Sequence, residues 1–124
     1  MPAEEIATAL YIATKLDGFK FHFNSERDLQ QGIAIVLSSF LHLDWKPEVK
    51  LSRIDRIDFL VGKIGIEAKT GGSLAAVTRQ LFRYAARPEI SELVLVTTKA
   101  SHRTLPNEIN GKPLFVVYLL KSFL

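Results

Sequence analysis

No cysteine occurs in the 124 residues of this chain. That absence removes disulfides, thiolate zinc sites, iron–sulfur clusters and cysteine nucleophiles, and it agrees with a reducing compartment. Long apolar runs are missing too. None reaches the roughly 20 residues that a membrane-spanning helix needs, so no membrane partner is expected. The three histidines, His22, His42 and His102, lack the close spacing of a two-histidine metal site and read as structural or surface residues. No internal repeat, low-complexity tract or linker interrupts the chain. Its opening residues, Met1 to Glu5, carry acids where a secretory signal carries bases, and a cytoplasmic location is expected.

What is present is a hydrophobic fraction of 48%, enough for a folded globule with one core, and a net charge of +3. The charge is unevenly placed. Residues 1–45 hold three bases against six acids, so residues 46–124 carry an excess of +6. A basic C-terminal part suits contact with phosphates, although solvated lysines and arginines give the same count.

Periodicity predicts α/β architecture, a mixed central sheet flanked by helices. Residues 3–16 have helical spacing at Ile6, Leu10, Ala13 and Leu16. Phe19, Phe21 and Phe23 alternate with polar residues, as in a short strand or extended edge. Ser25 is a plausible N-cap, with Asp28 as its capping partner, for a helix to about Leu41 whose stripe is Leu29, Ile33, Val36, Leu37 and Phe40. Pro47 interrupts the chain, and Glu48 to Ser52 look like a strand. Ser73 can cap a helix to about Ala86 with Leu74, Val77, Leu81 and Tyr84 as its stripe, before Pro88. Glu92 to Thr98 and Leu114 to Leu120 are apolar strands, the second introduced by Asn110-Gly111, with a polar loop from Ser101 to Lys112 between them.

The most informative segment is the pair of apolar runs Arg56 to Val61 and Ile64 to Lys69, joined by Gly62-Lys63. Glycine first suits a two-residue type II′ hairpin turn. In that register Val61 faces Ile64, Leu60 faces Gly65, Phe59 faces Ile66, Asp58 faces Glu67, and Arg56 faces Lys69. Opposed carboxylates roughly 5 Å apart repel unless a cation lies between them. Strand alternation returns Lys69 to the face of Glu67, and it leaves Ile57, Phe59, Val61, Ile64, Ile66 and Ala68 as a wholly apolar core face.

Asp58, eight residues, then Glu67-Ala68-Lys69 resembles the PD-(D/E)xK nuclease superfamily, the restriction-endonuclease-like fold. Gln80 and Tyr84 look like the QxxxY element of its RecB-type branch. Glu26 matches the acid that many members contribute from the preceding helix. The proline that names the motif is absent, since Ile57 precedes Asp58. The resemblance implies an αβββαβ core over residues 25–98 of a single nuclease-like domain spanning 1–124. Residues 1–24 would add a helix and an extended segment, and 99–124 a loop and final strand.

By the same resemblance, Asp58, Glu67 and the Ala68 carbonyl would hold magnesium, with manganese able to substitute, and Glu26 would bind directly, through water, or at a second cation. Lys69 would orient or deprotonate the attacking water and stabilise charge on phosphate. Gln80 would orient the lysine, water or phosphate, with Tyr84 anchoring it or stacking near the nucleic acid. The alternatives remain structural: Glu26 as an acid favoured by the helix dipole, and Gln80 as a surface residue beside a core tyrosine.

Arg79, Arg83 and Arg87 lie at helical spacing, either as phosphate contacts or as a solvated basic face. Arg103, beside His102, and Ser73 at a helix start are further phosphate candidates. The implied function is a magnesium-dependent endodeoxyribonuclease acting on branched or structured DNA as a homodimer, similar to Holliday junction resolvases. The rival readings are a non-catalytic nucleic-acid-binding or assembly module and a subunit of a larger nuclease complex.

Overall fold

The computed structural model describes residues 8–40 and 44–120. Helix α1 (Ala9–Asp17) is capped by Thr8, whose hydroxyl accepts from the Tyr11 amide, and α2 (Glu26–Phe40) follows. Strands β1 (Trp45–Lys50), β2 (Arg56–Val61) and β3 (Ile64–Lys69) form a meander. Helix α3 (Leu74–Ala85) crosses to β4 (Glu92–Thr97). A 3-10 helix (Ala100–Thr104), β5 (Glu108–Ile109) and β6 (Lys112–Tyr118) complete the order. The sheet has six strands in the order β1-β2-β3-β4-β6-β5. Pairs β1–β2, β2–β3 and β5–β6 are antiparallel, while β3–β4 and β4–β6 are parallel. The expected α/β class with a mixed sheet between helices is therefore present.

Two cores sandwich this sheet. Helices α1 and α2 cover one face, packing on Phe59, Val61, Ile64, Ile66, Ala68, Val94 and Val96. Helix α3 covers the other through Val77, Leu81 and Tyr84, against Ile57, Leu93, Leu95 and Leu114. Strand β4 is buried from Leu93 to Thr97, as a continuous apolar run between two helical layers requires. No helix among the described residues is long and apolar enough to cross a membrane.

Several boundaries differ from the sequence expectation, each for a local reason. Residues 19–23 form no strand; Phe19, Phe21 and Phe23 instead pack their rings onto the α1/α2 core. Gly32 on α2 admits Phe21, because a Cβ there would lie 2.7 Å from the Phe21 ring. On α1 the buried residues are Ala9, Ile12, Ala13 and Leu16, whereas Leu10 is exposed; Ile6 lies outside the described residues, as do Leu41 and His42. Phe40 is also exposed, its ring beneath the Lys15 ammonium.

Pro47 does not interrupt the chain but lies inside β1, an edge strand where a missing N–H is tolerated. The polar segment 101–112 contains the 3-10 helix and β5. Asn110 and Gly111, both at positive φ, close β5 and β6 into a hairpin with the backbone of a type I′ turn.

Candidate functional site

The hairpin β2–β3 has the expected boundaries and register as far as its ladder runs. Gly62 has φ +60, Lys63 is not left-handed, and Val61, Leu60 and Phe59 pair with Ile64, Gly65 and Ile66. The ladder then stops. Asp58 does not pair with Glu67 through the backbone, and Arg56 does not pair with Lys69; Arg56 pairs with Lys50 of β1. Side chains fill the gap. The Asp58 amide donates to Glu67 Oε1 at 3.1 Å, and the Ala68 amide donates to Asp58 Oδ2 at 2.8 Å.

This break also corrects the expected apolar face. Alternation fails at Asp58: Phe59 and Val61 pack under α1 and α2, but Ile57 packs under α3. The partner strand accommodates the change with Gly65, where a Cβ would collide with Ile57 Cδ1 and lie 2.9 Å from Ile90 Cδ1. Opposite the break, β1 has its own irregularity. Glu48 adopts φ +50 and has no register partner between Pro47↔Phe59 and Val49↔Ile57. The register is the same on both sides of this point, so the two irregularities lie opposite each other where the first carboxylate emerges.

The charged side of the hairpin is not a surface. Glu67 is only 4% exposed, because Tyr84 of α3 lies over it. The Tyr84 hydroxyl is shared among three groups: it lies 2.8 Å from the Arg56 carbonyl, accepts from Gln80 Nε2 at 2.8 Å, and lies 3.3 Å from Glu67 Oε2. Lys69 Nζ stands 3.5 Å from the same Glu67 oxygen. The glutamine and tyrosine four apart thus meet each other and the second carboxylate, and Lys69 joins them from the strand end.

On the α2 side, Gln30 Nε2 donates to Asp58 Oδ1 at 3.1 Å. One turn earlier, Glu26 Oε1 accepts from the Thr70 amide at 3.0 Å, tying the start of α2 to the residue after Lys69. Ser25 and Asp28 form the expected cap: Ser25 Oγ accepts from the Asp28 amide, and Asp28 Oδ2 accepts from the Asn24 amide. Asp28 is accordingly occupied in capping, and Glu26 is the acid that reaches the hairpin.

Electrostatics follow from this packing. Burial raises the Glu67 carboxyl to about 8, reinforced by the charge of Asp58 and opposed by Lys69, the Asp58 amide and the Tyr84 hydroxyl. Asp58 is also raised, first by burial and in lesser part by Glu26, while the Ala68 amide and Gln30 oppose the shift. The Tyr84 phenol is pushed up by burial and by Glu67, so it remains a neutral hydrogen-bonding group.

Among the described residues no group of three or more His, Cys, Asp or Glu side chains is placed to hold a metal ion. Magnesium does not require three, since it usually keeps several waters with one or two carboxylates. The donor set of Asp58 and Glu67, two mutually repelling carboxylates linked through each other's strand, fits such an ion.

The remaining candidates fall into separate places. Lys69, Arg79, Gln80 and Arg83 line one cleft of about 340 Å3 on the α3 side. Arg83 is engaged there by Asp55, with Nη2 3.1 Å from Oδ1 and Nε donating to both carboxylate oxygens. Arg87 sits past the end of α3, 3.7 Å from Glu89, and its carbonyl accepts from Lys112 Nζ. Ser73 caps α3 by accepting from the Ala76 amide. Arg103 is over the Tyr118 ring at 5.1 Å and lines neither the α3-side cleft nor the one on the α2 side, which Asp58 shares with Arg27, Gln30, Gln31 and Glu48. His102 is fully buried, bridging Thr97 Oγ1 at 2.6 Å and the Gly72 carbonyl at 2.9 Å; its role is to pin the loop between β3 and α3.

Sequence reasoning missed Gln30 and Asp55. For Gln30 the signal was present, since it lies four residues after Glu26 on one helix face. Asp55 left no such trace, being 28 residues from Arg83. Compared with protein-family models, curated proteins and solved structures, the chain matches none at a level that would establish a relationship.

Proposed function

We propose that this chain is a magnesium-dependent endodeoxyribonuclease with a restriction-endonuclease-like αβββαβ core. The observation that carries the proposal is the meeting of Asp58 and Glu67 at the end of a broken ladder, both with raised carboxyl pKa values and with Lys69 beside Glu67. Two carboxylates kept together at this cost are a recognisable feature of functional sites.

The bound ion would supply Lewis-acid polarisation of the phosphoryl oxygen and a more acidic water. Asp58 and Glu67 would hold it, with the Ala68 carbonyl as a further oxygen, and manganese would serve in its place. Gln30 fixes the Asp58 carboxylate, and Tyr84 with Gln80 fixes that of Glu67. Lys69 orients the attacking water and balances negative charge developing on phosphate. Arg79 contacts backbone phosphate from the α3 rim, assisted by the helix start at Ser73, whereas Arg83 and Arg87 are engaged by Asp55 and Glu89 and Arg103 lies over Tyr118. In this reading the substrate is branched or structured DNA bound by a homodimer, similar to junction resolvases, in the cytoplasm.

The test is cleavage of labelled junction, flap, single-stranded and linear duplex DNA with magnesium by the chain, Lys69→Ala and Asp58→Asn. Cleavage confined to the unmodified chain is expected. Equal activity in all three proteins would remove the catalytic assignment, and binding without cleavage in magnesium or manganese would favour a non-catalytic nucleic-acid-binding module.

A further inference from the structure

A pocket of about 400 Å3 lies beyond the carboxyl ends of the parallel strands β3, β4 and β6. Its walls include Phe23, Asn24, Ser25, Thr70, Thr98 and Tyr118, and no charged side chain lines it. The carboxyl ends of parallel strands are where open α/β sheets receive ligands. The wall is continuous with the carboxylate site, because Thr70 directly follows Lys69, the Thr70 amide donates to Glu26, and the Thr98 amide donates to the Lys69 carbonyl. Among the described residues, the side-chain polar groups of Asn24, Thr70, Thr98 and Tyr118 make no hydrogen bond to protein. Ser25 Oγ accepts from the Asp28 amide and retains its proton to donate. Arg103 stacked on Tyr118 steadies that ring.

Neutral donors and acceptors beside two aromatic residues offer neither the cationic groups that hold a phosphate tightly nor the anionic oxygens that hold a metal ion. They suit a flat heterocycle with a hydrogen-bonding edge. We propose that this pocket receives the base of a nucleotide adjoining the phosphate held at Asp58, Glu67 and Lys69. The inference rests on the cleavage reading of that site and adds to it: the enzyme takes a strand with at least one unstacked base, so paired linear duplex is a poor substrate.

The test uses binding, read separately from cleavage. Short single-stranded oligodeoxynucleotides with one abasic position moved along the sequence are titrated with magnesium into the Lys69→Ala chain, which keeps both carboxylates. One position should weaken binding about tenfold, the size expected for losing one stacked base. Adding Thr98→Val, Asn24→Ala or Tyr118→Ala should erase that difference. The first two keep the fold testable if removal of the Tyr118 ring unfolds β6.

A penalty that is the same at every position, or that survives in all three variants, would overturn the proposal. Position-dependent binding by Lys69→Ala, together with intact DNA after incubation with the unmodified chain, would keep the base pocket and discard the cleavage reading. Cleavage that ignores the abasic position would do the reverse.

Discussion

The two flanks of the β2–β3 hairpin handle their carboxylates in opposite ways. On the α2 flank, Asp58 opens into a cleft of about 510 Å3, where Gln30 is its side-chain partner. On the α3 flank, Glu67 is sealed beneath Tyr84 and paired with Lys69. The open carboxylate can exchange ligands with solvent, whereas the sealed one keeps a fixed geometry and a high proton affinity. A cation held between them, as proposed, would meet a preorganised ligand on one side and an accessible one on the other.

The largest test of this contrast is pH. In the unfolded chain Glu67 releases its proton near 4.5, but in the fold only near 8. Between those values the folded state binds more protons, so stability should be full below about 4.5 and be lost as pH rises through about 8. Thermal unfolding without metal should show this loss, by several kcal/mol at most. Glu67→Gln should flatten the profile, and magnesium should oppose the loss by binding the folded state. An unchanged profile in Glu67→Gln would contradict the sealed-carboxylate account.

Next comes packing at the break itself. Gly65→Ala places a Cβ against Ile57 and Ile90, and overpacking of this kind should cost about 3 kcal/mol in denaturant unfolding. Arg83→Ala strips the buried Asp55 of its counter-charge. About 2 kcal/mol is expected, below the roughly 3–5 kcal/mol of a fully buried pair, because the guanidinium is 45% exposed.

Tyr84→Phe removes the hydroxyl serving Arg56, Gln80 and Glu67, and should cost about 1–2 kcal/mol. The smallest stability change, under about 1 kcal/mol, belongs to Gln30→Ala on the open flank. That variant should nevertheless weaken magnesium affinity by about tenfold, measured calorimetrically, because Gln30 orients Asp58. If Gln30→Ala destabilised the fold more than Tyr84→Phe, the assignment of open and sealed flanks would be reversed.

The parts of this arrangement that were legible in sequence are those set by local rules. Gly62-Lys63 announces the turn, and the apolar runs on either side give both strand boundaries. Gln80 and Tyr84 were detectable by their four-residue spacing. What escaped depends on a defect in the pattern. A period of two assigns Ile57 to the face of Phe59, but alternation breaks at Asp58, opposite left-handed Glu48, and Ile57 joins the other core. Likewise Pro47 reads as a terminator until β1 is known to be an edge. Strand β5, two residues long, is too short to have a period at all.

The edge strand β1 has one further implication. Its outer rim presents Pro47, which cannot donate a hydrogen bond, between Lys46 and a left-handed Glu48, with Lys50 closing the row. Proline, charge and a local kink are the devices by which native sheets refuse an incoming strand. At the opposite border β5 offers only two residues. Among the described residues the β1 border is thus guarded against an added strand, whereas β5 covers only Lys112 and Pro113 of β6 and leaves the rest of that strand's outer edge without a strand partner, the more open of the sheet's two borders.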